Sequence, residues 1–175
     1  MMLKAPFPYF GGKSKVASVV WKLLGQPKHY LEPFFGSGAV LLGRPDYHQG
    51  MVETVNDNGN WQDDLGSCGI FFDPPYSEIA NRRKNIYTHD SESVAHDVRE
   101  WSRDRAQKPS YRIVIAGYYD EHKELLSEGW GVYKWSTGGG YANVGNGQGR
   151  KNAEKEALFY SPHCLPLVKE QGELF

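Results

Sequence analysis

Cysteine is scarce in this chain: Cys68 and Cys164 are the only two in 175 residues, far apart and without metal-ligand spacing. That excludes a disulfide framework and a cysteine-based metal site, and it points to a reduced, cytosolic protein. Charge of one sign is missing as well. Twenty basic residues stand against 21 acidic ones, for a formal net charge of -1. Any nucleic-acid surface must therefore be a local patch, such as Arg82, Arg83 and Lys84, or Arg150 and Lys151. Each patch reads equally well as a solvated charged face. Long apolar runs are absent: the opening MMLKAPFPYF carries neither a signal peptide nor a membrane span. No internal repeat is visible. What remains is 39% apolar and 14% aromatic content, enough for one domain with a core over residues 1–175.

Apolar spacing then orders the chain. SKVASVVWKLLG sets Val16, Val19, Val20, Leu23 and Leu24 at helical intervals, with Ser14 expected as the N-cap and Gly25 as the terminator. HYLE predicts a short strand, followed by the glycine turn FFGSGAVLL, whose apolar tail opens a second helix. MVETVNDN and GIFFDPP are strands ending in acid. SESVAHDVREWSRDRA is a helix presenting Val94, Val98 and Trp101, and YRIVIAGYY is a β-branched strand. Beyond it, WGVYKWS and EALFYS read as strands around TGGGYANVGNGQG, which is too glycine-rich for regular structure. The alternation followed by a β-rich end predicts an α/β fold, mostly parallel, with antiparallel C-terminal strands.

Three stretches carry chemistry. In LEPFFGSGA, Gly36 and Gly38 follow a strand and permit a tight turn that a ligand can approach; the plain alternative is an ordinary turn. In VETVNDN, Asp57 closes a strand about twenty residues further on, the distance at which an acid can hold ribose hydroxyls, or it is an Asx turn. In GIFFDPPYSE, Pro74 cannot continue the strand of Ile70 to Phe72, so the chain turns and delivers Asp73 and Tyr76 to a strand's carboxyl end. That is where open α/β sheets bind ligands. The alternative is a proline turn with Tyr76 covering the core.

Taken together, PYFGGK, EPFFGSGA, VNDN, FFDPPY and the tail GQGRKNAEKEALFYSPHC resemble the Dam-type DNA adenine-N6 methyltransferases, many of them phage-borne, over nearly the whole chain. The resemblance implies a Rossmann-like S-adenosylmethionine-dependent methyltransferase fold in a cytoplasmic enzyme of a bacterium or phage-infected host. It further implies that S-adenosylmethionine is held by Tyr9, Gly11, Gly12, Lys13, Glu32, Pro33, Phe34, Gly36, Gly38 and Asp57, with Lys13 pairing the methionine carboxylate and Asp57 on the ribose. Asp73, Pro74, Pro75 and Tyr76 would hold the target adenine, and no metal is implied.

Adenine's amino nitrogen is a poor nucleophile because its lone pair is delocalised into the ring. The Asp73 carboxylate and Pro74 carbonyl can each accept one N6 hydrogen and favour a pyramidal nitrogen, with a cis or rigid proline turn holding both acceptors. Tyr76 is suited to stack on a base flipped from the duplex. Transfer is direct and requires no cysteine nucleophile.

One departure is large. Only fifteen residues separate Asp57 from Asp73, where Dam-type enzymes carry a target-recognition region. A separate recognition domain is thus not expected, and the sheet is expected to lack one strand or to carry it in reduced form. Asn60, Asp63 and Asp64 all stay open as the residue for the cofactor's adenine. DNA affinity then falls to phosphate contacts and should be loosely selective and salt-sensitive, with Tyr141, Arg150 and Lys151 in the glycine-rich loop as candidate contacts of a monomer. A degenerate fold that binds without turnover, and methylation of cytosine N4 or of RNA, are the competing readings.

Overall fold

The structure is a computed structural model that describes residues 13–46, 52–55, 67–75, 94–135 and 156–168. Its first helix, α1 (Ala17–Leu24), buries Val20, Trp21, Leu23 and Leu24 and stops at Gly25, whose φ of 64° only glycine adopts readily. The expected cap at Ser14 is not used. Val16 occupies the N-cap without a side-chain bond, and its N–H closes a backbone turn on the Lys13 carbonyl at 3.0 Å, leaving Ser14 exposed two residues too early. Trp21 Nε1 donates to the Val40 carbonyl at 2.7 Å and ties α1 to α2 (Ala39–Leu42).

The strands are β1 (His29–Glu32), β2 (Val52–Val55), β3 (Cys68–Phe72), β4 (Tyr111–Tyr118), β5 (Gly131–Lys134) and β6 (Glu156–Tyr160). They form one mixed six-stranded sheet in the order β2-β1-β3-β4-β6-β5. The first four run parallel, while β6 is antiparallel to both β4 and β5. Central β3 is buried at every residue, as a parallel strand covered on both faces must be. Edge strand β2 is exposed throughout. The fold is therefore α/β, mostly parallel with antiparallel strands at its C-terminal end.

Period-two alternation along the strands separates two cores. Tyr30, Phe71, Val114, Ala116 and Leu158 pack with α1 on one face. Leu31, Ile70, Phe72, Ile113, Ile115 and Phe159 pack on the other against Val98 of α3 (Val94–Arg105) and Leu125. The segment after β4, helix α4 (Tyr119–His122) and a 3-10 turn (Lys123–Glu128), has no signal among the expected elements. Arg103 of α3 fastens it with paired bonds of 2.8 Å to Glu128, and Arg99 donates to the Glu121 carbonyl at 2.7 Å. Among the described residues no helix is long and apolar enough to cross a membrane.

The turn after β1 is tight. Gly38 has φ of 66°, and a Cβ there would lie 2.5 Å from the Phe35 ring. Gly38→Ala combines left-handed strain with overlap against that ring, so a loss of about 2 kcal/mol is expected in urea denaturation.

Candidate functional site

The order of strand addition reverses between β1 and β3: from β1 the chain first adds β2 on one side and then crosses to β3 on the other. Ligands of open α/β sheets lie beyond the carboxyl ends of the strands at such a switch point. Four described elements converge there. Glu32 ends β1, Asp73 follows β3, Tyr118 ends β4, and Glu156 opens antiparallel β6 opposite Tyr118. Alternation sets Glu32 on the face of Tyr30, Asp73 on that of Phe71, Tyr118 on that of Ala116 and Glu156 on that of Leu158, all the α1 face.

Lys13, immediately before α1, supplies the cation. It is 5% exposed, and its Nζ lies 2.9 Å from Asp73 Oδ1, with Asp73 itself 22% exposed. Burial raises the Asp73 carboxyl above its ordinary value and the Lys13 ammonium opposes that rise without cancelling it. Burial also raises Glu156, with the Asp73 charge adding to the effect and Lys13 opposing it. Glu32 is buried and accepts a 2.8 Å hydrogen bond from the Tyr30 hydroxyl. Burial first, and then this carboxylate, push the tyrosine well above its usual range. Tyr30 in turn rests on Trp21, ring centroids 4.7 Å apart. Two carboxyl groups, Asp73 and Glu156, thus act on the Lys13 ammonium, with Glu32 on the same face at the end of β1.

Pro74 is buried beside Asp73, and no peptide bond among the described residues is cis; rigidity at this corner comes from two successive proline rings. Pro33 is buried, and half-buried Phe34 packs on Phe72 with centroids 6.3 Å apart. Gly36 and Gly38, with φ of 51° and 66°, make the turn after β1, and the Phe35 ring closes over Gly38 where a Cβ would stand. Both thiols are pushed up by burial, Cys68 to about 12 and Cys164 to about 11, so neither is a ready nucleophile. Among the described residues no group of His, Cys, Asp and Glu side chains could hold a metal ion.

Of the expected site residues, Lys13, Glu32, Pro33, Phe34, Gly36, Gly38, Asp73, Pro74 and Pro75 are brought to this edge. Tyr9, Gly11, Gly12, Asp57, Tyr76, Arg82, Arg83, Lys84, Tyr141, Arg150 and Lys151 lie outside the described residues, as do Asn60, Asp63 and Asp64. Two features escaped the motif reading. The resemblance pairs Lys13 with a ligand carboxylate, whereas in the structure its ammonium lies on Asp73. Glu156 was not singled out, although an acid at the head of an antiparallel strand is delivered to the same edge as an acid at the tail of a parallel one.

Comparison of the chain with protein-family models, with curated proteins and with solved structures returned no match. A functional reading therefore stands on the chain's own geometry and motifs.

Proposed function

We propose that this protein methylates the N6 amino group of adenine in DNA, using S-adenosylmethionine, on a Rossmann-like methyltransferase fold. The observation that carries the reading is the Lys13–Asp73 pair at the carboxyl end of β3, directly before Pro74 and Pro75. A carboxylate held by a buried ammonium, followed by a rigid proline corner, is an acceptor pair with little freedom to move. It suits an exocyclic amine with two hydrogens to donate.

S-adenosylmethionine, when bound, supplies a methyl group activated on a sulfonium. The residues present fit such a group: Glu32, buried at the end of β1, supplies a negative charge for the sulfonium, and the turn at Gly36 begins a few residues beyond it. Asp73 accepts one N6 hydrogen and orients the nitrogen lone pair. The Pro74 carbonyl accepts the other. Lys13 holds the Asp73 carboxylate in its ionised, accepting form against the burial that favours protonation.

Calorimetry tests the donor half of this reading. One-to-one binding of S-adenosylmethionine by the protein without DNA is expected, with the thioether product binding less tightly because it has lost the sulfonium charge. Absence of binding, or equal preference for an unrelated adenosine nucleotide, contradicts it.

A further inference from the structure

Glu156 belongs to the site by position, yet the proposed reaction has so far given it nothing to do. It opens β6 opposite Tyr118 and shares the α1 face with Asp73 and Lys13. Among the described residues no hydrogen bond or ion pair engages its carboxyl group, whereas Asp73 is occupied by Lys13 and Glu32 by Tyr30. We propose that Glu156 is the group that takes the proton lost by the adenine amino nitrogen. The inference rests on the methyl-transfer reading above.

The proton has to go somewhere. As the nitrogen lone pair forms the new N–C bond, the methyl–sulfur bond breaks and its electron pair stays on sulfur, which becomes a neutral thioether. The nitrogen is left as a cation bearing a methyl and two hydrogens. The hydrogen that lay on the Pro74 carbonyl, which is too weak a base to keep a proton, passes to the Glu156 carboxylate and restores the neutral amine, and the carboxylic acid then passes that proton to solvent. Asp73 is poorly suited to this task, because protonating it would break its bond with Lys13. Glu156, whose carboxyl group has no such bond among the described residues, is the better acceptor.

The groups that face Glu156 set its behaviour. Lys13, from the segment before α1, stabilises its anion; Asp73 after β3 opposes the anion, and Glu32 and Tyr118 stand on the same face. Lys134 of neighbouring β5 is opposite Ala157 and lies over the Tyr119 ring, 3.6 Å from its centroid, on the other face. Asp73 must be ionised to accept and Glu156 to receive, so the acid limb of the rate should fall with a two-proton slope above the ordinary carboxylate range.

Single-turnover transfer to duplex DNA, followed across pH, decides the matter together with a carbon-13 titration of the glutamate carboxyls in the free protein. Glu156→Gln should slow the chemical step about 100-fold, leave S-adenosylmethionine binding unchanged and reduce the acid slope from two protons to one. Glu156→Asp should recover part of the rate. In the titration Glu156 should ionise above its ordinary 4.5, and higher still in Lys13→Met. A Glu156→Gln rate within twofold of wild type with an unchanged slope, or an ordinary titration, overturns the role while leaving methyl transfer standing. Wild-type protein that moves no methyl group to adenine overturns both.

Discussion

Asp73→Ala is expected to lower methyl transfer to adenine by at least about 1,000-fold while leaving S-adenosylmethionine binding largely intact. The loss has two parts. Removing one preorganised acceptor from a transition state costs on the order of 100- to 1,000-fold by itself. The Lys13 ammonium, 5% exposed and 2.9 Å from the lost carboxylate, is then left to repel the nitrogen as positive charge develops on it. Asp73→Asn should do no better, because an amide placed there can turn an NH2 donor toward another donor. Lys13→Met tests the same pair from the other side. Without the ammonium, burial raises Asp73 unopposed, and the acid limb of the rate should move to higher pH. Loss of cofactor affinity as the main effect of Asp73→Ala would assign the carboxylate to the donor instead of the acceptor.

The second large effect concerns stability. His122 is 1% exposed, and among the described residues neither ring nitrogen has a hydrogen-bond partner. Its ring packs edge-on against Phe159 with centroids 5.6 Å apart, in space that Gly117 leaves open; a Cβ at Gly117 would lie 2.5 Å from it. Burial, and secondarily the Arg99 guanidinium, lower His122 from 6.5 to about 4. The folded state therefore keeps the ring neutral where the unfolded chain protonates it. The associated stability is fully present above pH 6.5 and is lost as pH falls toward 4, by about 3 kcal/mol in all. His122→Leu should remove that slope. The difference between the two proteins in urea midpoints, taken from pH 7.5 to pH 4, isolates His122 from the carboxylates that titrate in the same window. Parallel curves would mean that His122 finds a partner or that α4 opens before protonation.

The strands were legible because they carry strong local signals. His29–Glu32 emerges with the expected bounds, and β3 extends the expected run of Ile70 to Phe72 back to Cys68. Tyr111–Tyr118 and Glu156–Tyr160 follow β-branched and aromatic runs that serve both faces of the sheet. Helix α3 likewise shows its Val94, Val98 and Trp101 spacing. Local signals fail where distant contacts decide. The local signal at Tyr119 is short, a Glu121 carboxylate accepting from the Tyr118 N–H at 3.2 Å, and the segment is otherwise held by Arg99 and Arg103, about twenty residues upstream. The start of α1 differs from the expected one for a related reason: a backbone turn on the Lys13 carbonyl takes the place of the serine cap. Asp73 was legible as a site residue from its proline corner. Its ammonium partner, sixty residues away in sequence, needed the fold. Glu156 needed the strand order, because only antiparallel β6 carries an N-terminal residue to the carboxyl edge.

The most direct test of the central claim is nucleoside analysis of unmodified duplex DNA after incubation with the wild-type protein and methyl-labelled S-adenosylmethionine. N6-methyladenine carrying the label, absent with Asp73→Ala, is the predicted result. Label in N4-methylcytosine would transfer the same pocket chemistry to a different base, and DNA without label, from protein that binds the donor, would contradict the account.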